Sequence, residues 1–273
     1  MRKLVRGRTG LVALGGLLFA AVIGPTVVPE ASSAQSGRQS SASSPPCASA
    51  SYVLAVSGSG QATQGWSLAA NGQVDFINDA ATANVTLPTA IPIPGLAGSD
   101  VQLVLVGGTA YASVPPALSG FVGGAPWVSV ALPSSLDTVV NSVFPRLAAW
   151  CGNGQSVVSA LGRHRGTSLG STSIGGEPVT GTQIRSSSSK VSRALGLPRG
   201  VGRARHGGVP VDVWDNGQGQ LTALSVTLPS LSISLQLTNI DQPVSITAPT
   251  GAVPLSPSIL SMIGGFAGAR AAG

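Results

Sequence analysis

Between Leu224 and Leu237 apolar and polar residues alternate. Leu224, Val226, Leu228, Leu231, Ile233, Leu235 and Leu237 are apolar, and Ser225, Thr227, Ser232, Ser234 and Gln236 stand between them. Successive strand residues point to opposite faces, so this pattern predicts two strands sharing one apolar and one wet face. Pro229-Ser230 reads as the turn between them, which sets Leu228 beside Leu231 and Val226 near Ile233. The apolar face of such a sheet must be covered by helices, by another sheet or by a ligand.

The same alternation begins at Tyr52 and predicts strands over about 51–57, 64–70, 73–78 and 82–87, with Asn71-Gly72 as a hairpin turn. Val101–Val106 is expected to pair with Thr109–Val114 across Gly107-Gly108. That register puts bulky Leu103 and Leu105 opposite Ala110 and Ala112, leaving volume above the face. Trp127–Leu132 is a further strand. Ser134 can cap a helix in which Leu136, Val139, Val140 and Val143 recur at helical spacing and which Pro145 ends or kinks. A short helix over Gln155–Leu161, strands near 170–174 and 178–185 and a basic helix over Ser187–Leu195 follow. Strands over Val209–Trp214, Gly219–Leu228, Leu231–Thr238 and Val244–Thr247 complete the sheet, with an apolar helix over Ser258–Ala267.

The N-terminus carries an address. Arg2, Lys3, Arg6 and Arg8 precede an apolar run from Leu11 to Ile23, and Ser32-Ser33-Ala34 offers small residues at a cleavage site. Residues 1–34 are therefore expected to be a secretory signal peptide cleaved after Ala34, against the alternative of a retained anchor. Removing them, with four basic residues and Glu30, leaves 11 basic and 8 acidic residues, so much of the basic character belongs to the leader. Residues 35–49 are Ser- and Pro-rich and read as a tether, leaving 50–273 as the domain. Cys47 and Cys151 are the two cysteines of the chain, and in an exported protein a disulfide between them is the default expectation.

The stretches GGTAYASVP, PWVSVAL, PVDVWDNGQGQLTALSVTLP and ISLQLTNIDQPVSITAP, taken in order, resemble the LppX/LprG-like family of actinobacterial lipoproteins, related in fold to LolA-type carriers. The resemblance covers roughly residues 51–255. It implies an α+β fold, a curved antiparallel half-barrel with helices on its concave face, and an apolar space between them that holds acyl chains. Members of that family begin the mature chain with a lipidated Cys. None stands near Ala34, so the resemblance implies a released or loosely associated protein of the cell envelope.

Catalytic signals are thin. His164 and His206 lie in Arg/Gly-rich loops without a neighbouring carboxylate, and no metal-ligand spacing or nucleophile elbow is present. Ser187 and Lys190 formally match S-x-x-K, but inside a serine run and without companion motifs. The segment Arg163–Arg205 holds eight basic residues against Glu177, which reads either as a solvated face or as an attraction to anionic headgroups. Nucleic acid is not an expected partner, because no aromatics interleave with these charges.

The expectation is therefore a monomeric exported protein that binds a lipid or lipidated ligand and performs no chemistry, with no cofactor and no metal. The expected wall comprises Trp66, Phe76, Leu103, Leu105, Trp127 and Leu136, together with Val140, Trp214, Leu224, Val226, Ile233 and Leu235. Arg185, Lys190 and Arg193 are expected to meet a headgroup or an anionic membrane, and segments 134–149 and 187–195 to cover the cavity. The competing expectation is a structural or protein-interaction module whose sheet is filled by its own helices.

Overall fold

The computed structural model of the protein describes residues 46–60, 63–87, 96–132, 144–161, 166–195, 208–229 and 231–255. The expected signal peptide and the expected helix 258–267 lie outside the described residues. So do Leu136, Val140, His164, His206 and five of the basic residues between Arg163 and Arg205.

Among the described residues twelve strands form one sheet. They are β1 (Ser49–Gly60), β2 (Thr63–Asp75), β3 (Ala80–Thr86), β4 (Asp100–Val106), β5 (Thr109–Ser113) and β6 (Trp127–Ala131). After the helical insertion come β7 (Thr167–Ile174), β8 (Glu177–Ser186), β9 (Val209–Asn216), β10 (Leu221–Leu228), β11 (Leu231–Thr238) and β12 (Ala252–Pro254). The order across the sheet is β12-β6-β5-β4-β3-β2-β1-β11-β10-β9-β8-β7. Every pairing is antiparallel except β12 with β6. A two-residue turn at Gly107 (φ 56°) and Gly108 (φ 71°) joins β4 to β5, both glycines using the left-handed backbone such a turn demands.

The sheet is an open, curved half-barrel in an α+β fold. Gly175, in the β7–β8 turn, sits against Thr238 of β11, so that a Cβ there would stand 3.0 Å from the threonine methyl. β8 and β11 are three strands apart, about 14 Å in a flat sheet, so this edge must curl to make the contact. Helices cover the concave face. They are α1 (residues 144–152), α2 (Gly154–Leu161) and α3 (Ser188–Ala194). Ser187 caps α3, its hydroxyl accepting from the Lys190 N–H.

Two features differ from the sequence expectations. Asn71-Gly72 is not a turn: β2 runs straight through it, with Gly72 paired to Tyr52 on one side and Ala83 on the other. The real turn is fixed by Asp75, whose carboxylate accepts from the backbone N–H groups of Ile77 (3.0 Å) and Asn78 (3.1 Å) and from the Asn78 side chain (2.7 Å). This side-chain capping fixes the reversal after Asp75, and Asp79 takes the positive φ (49°) that the turn needs. Gly72 serves instead as a point of close approach, since any side chain there would strike the Thr82 carbonyl. Val244–Thr247 is not a strand, and the edge is β12, which takes the parallel place beside β6. α1 spans residues 144–152 with Pro145 at its second position, and its Phe144, Trp150 and Cys151 bury themselves under the sheet; the expected helical run before it, 134–143, lies outside the described residues.

The concave face carries two apolar clusters. One joins α1, α2 and α3 to β9, β10 and the end of β11, with Val157, Val191, Val211 and Val226 fully buried. The other lies over β1 to β4, with Leu54, Val56, Val85 and Leu103 at its centre and Leu118 packed on it. Tyr52, Leu231, Ile233 and Leu235 belong to both. The Cys47–Cys151 disulfide forms as expected and ties the entry of β1 to the end of α1 (Cα–Cα 5.7 Å). The Cys47 N–H also donates to the Ala148 carbonyl (3.0 Å), and the Ala48 N–H to Asp241 (2.7 Å). The last residues of the expected tether are thus bonded into the domain.

Candidate functional site

Between the two clusters the described residues leave the concave face unfilled. β1, β10 and β11 supply a floor of alternating residues, of which Leu54, Leu224 and Leu237 are buried while Ile233 and Leu235 remain half-buried. Register makes this floor continuous, since Leu54 pairs with Leu235 and Leu235 with Leu224, all on one face. α1 forms the roof with Phe144, Leu147 and Trp150, and the end of α3 adds Ala194 and Leu195. Phe76 meets Phe144 edge to face, with centroids 6.3 Å apart, and closes one side. The space left is about 130 Å³.

Two polar groups reach this apolar wall. The Tyr52 hydroxyl donates to the Thr82 carbonyl at 2.8 Å, crossing β2 beside the side-chain-free Gly72. Burial pushes the Tyr52 phenol up to about 12, so it stays neutral over the whole physiological range. Arg146 is the other: it is half-buried, and its Nη1 donates to the Ala194 carbonyl at 3.3 Å. Its guanidinium is the one charge that the described residues place on the wall.

The expected wall residues divide cleanly. Phe76, Leu224, Ile233 and Leu235 line the cavity. Leu105 and Val226 are buried in the adjoining cluster, and Leu103 lies in the second cluster. Trp127 and Trp214 are on the opposite face of the sheet. Trp127 neighbours buried Val128 in β6, and Trp214 lies between buried Val213 and Asp215 in β9, with its ring against Gly181. Trp66 pairs with Gly58 in β2, and its side chain lies outside the described residues.

Arg185 is exposed and alternates with buried Ile184, so it projects from the convex face, whereas Lys190 and Arg193 ride on α3 over the concave one. The three do not make a single patch. Sequence reasoning passed over Tyr52 and Arg146. The signal for Arg146 was available, because it is the sole basic residue between Arg38 and Arg163 and stands in an otherwise apolar helical run.

One more polar group is buried on the concave side, away from the cavity. Asp215 accepts from Gln155 Nε2 through Oδ2 (2.9 Å), while Oδ1 has no partner among the described residues and presses on Gly154. Burial raises its carboxyl above the usual range, and the Gln155 bond opposes the rise. Among the described residues no cluster of His, Cys, Asp and Glu could hold a metal ion, and no helix is long and apolar enough to cross a membrane.

No family model and no curated protein matches the chain. Among solved structures it is similar to the lipoprotein LppX of Mycobacterium tuberculosis, with 19% identity over 74% of this chain and 90% of that one (TM-score 0.47). It is also similar to LprF of Mycobacterium bovis, with 16% identity over 75% and 90% (TM-score 0.45). A LolA superfamily protein of Nitrosomonas europaea aligns with 10% identity over 74% and 88% (TM-score 0.25).

Proposed function

We propose that the protein is exported to the cell envelope and binds the apolar part of a lipid or lipidated molecule in the cavity between sheet and helices, without performing chemistry. The observation that carries this reading is the unfilled, aliphatic and aromatic space of about 130 Å³ on a face whose flanks are otherwise tightly packed. Interiors normally leave few voids larger than a water molecule. Apolar cavities of about 150 Å³ stay dry and take up hydrocarbons the size of benzene.

The space lies below the ~300 Å³ at which drug-sized sites begin. It would therefore hold the end of a chain, with the remainder admitted as α1 and α3 part. Each methylene taken from water contributes about 0.8 kcal/mol. Residues 1–34 would direct export with cleavage after Ala34, the part of 35–49 that precedes Cys47 would space the domain from its surroundings, and the domain would bind as a monomer. Lys190 and Arg193 on α3 would favour an anionic surface near the bound molecule.

The test is native mass spectrometry of the secreted protein purified from its own host without detergent, followed by organic extraction. A stoichiometric adduct that extracts as lipid is the expected result. Widening Ala81, a small residue of the wall, to Phe should abolish it. The modest volume favours the competing reading, a protein-interaction module. A clean apo mass together with no uptake of added host lipids would select that reading.

A further inference from the structure

Arg146 is out of place in its surroundings. It sits half-buried in an apolar wall, and its hydrogen-bond partner among the described residues is the Ala194 carbonyl at 3.3 Å. Usual N–H···O bonds cluster near 2.9–3.0 Å, so this contact is slack. A guanidinium carries five N–H donors, and this contact engages one of them. Among the described residues no carboxylate joins it on the wall, and a cation held partly against hydrocarbon becomes more favourable when an anion arrives with the apolar group that fills the cavity. The planar fork of arginine matches a carboxylate or phosphate through two parallel bonds.

The geometry points to a single-chain anionic amphiphile as the ligand, its tail packed among Leu224, Leu235 and Phe144 and its carboxylate or phosphate held by Arg146. This assignment rests on the lipid-binding reading and narrows it. The volume of about 130 Å³ admits one narrow chain end and not two side by side. The head would displace the slack Ala194 contact, a hydrogen bond between α1 and the end of α3. Binding of the head and parting of the two helices are thereby coupled.

The experiment uses three probes with one tail: decanoate, decyl phosphate and decanol, each titrated into the secreted protein. Intrinsic fluorescence reports binding, because Trp150 is part of the wall. Bonds to a charged group contribute about 1.5–3 kcal/mol, so the better anion should bind roughly tenfold or more tightly than decanol. Arg146→Gln should bring both anions to the level of decanol and leave decanol unchanged. Arg146→Lys should keep part of the preference, since it retains the charge and loses the fork. Whichever anion leads identifies the head as carboxylate or phosphate.

Equal binding of all three probes by the wild-type protein would overturn the role of Arg146 and leave apolar binding standing. An anion preference that survives in Arg146→Gln would overturn it equally. If none of the three binds the wild-type protein, the lipid-binding reading falls and this assignment falls with it. The wild-type comparison decides the matter even where the glutamine variant does not fold.

Discussion

Removing the Cys47–Cys151 bridge by the double substitution Cys47→Ala and Cys151→Ala tests how the helical roof is held on the sheet. The bond joins residues 104 apart in sequence, and both sulfurs are buried, Cys151 completely. In the chain-entropy account a loop of that length contributes about 4.7 kcal/mol by restricting the unfolded chain. For a chain of this size such a loss lowers the melting midpoint by roughly 10–20 °C. Urea unfolding of the oxidised protein and of the double variant measures the difference directly. The midpoint should fall while the slope rises, because the uncrosslinked unfolded state exposes more surface.

The structure also predicts where the variant loosens. Cys47 donates a backbone hydrogen bond to Ala148 as well as carrying the disulfide, so the entry of β1 and α1 should lose amide protection together. Strands β8 and β9, which are held by their own ladder, should not. A loss below about 1 kcal/mol would refute the loop argument and mean that the 144–152 helix is held by its apolar contacts alone.

Two further outcomes follow from buried polar groups. Tyr52→Phe should cost about 1 kcal/mol by removing the bond to Thr82. With the Tyr52 phenol at about 12 when folded and near 10 when unfolded, its stabilising contribution is complete below pH 10 and is lost as pH rises towards 12. Phenolate absorbance during alkaline titration checks this, and Tyr52 ionising near 10 in the folded protein would contradict its burial. Asp215 has its folded value raised, so its contribution is most favourable below the ordinary carboxyl value of 3.8 and declines as pH rises through the raised value. Asp215→Asn should therefore gain on the wild type in urea-measured stability between acid and neutral pH, and a variant that loses ground to the wild type as pH rises would contradict the assignment.

Much of the fold was legible because strand alternation is a local property. The β10–β11 hairpin appears in the register expected, Leu228 beside Leu231 and Val226 beside Ile233. The β4–β5 hairpin likewise closes over Gly107-Gly108. Period two also held information that the wall expectation overlooked. Trp214 alternates with Val213, and Trp127 with Val128, so each tryptophan was already assigned to the face away from the apolar one. Asn71-Gly72 misled because that dipeptide favours a two-residue hairpin wherever the chain is free to turn. Here ladders on both sides of β2 hold it extended, and Asp75 fixes the turn four residues later.

Which residues share a face, where α3 is capped and which cysteines can pair are legible from the chain alone, since each depends on neighbours along the chain or, for the cysteines, on there being two of them. The sequence could not determine the cavity. An unfilled volume is a difference between what the curved sheet encloses and what its own side chains occupy, and that difference exists only once α1, α3 and β11 meet. Arg146 shows the same limit. In sequence it is one arginine in an apolar helix, and only the approach of α3 sets it beside the Ala194 carbonyl on the wall of the cavity.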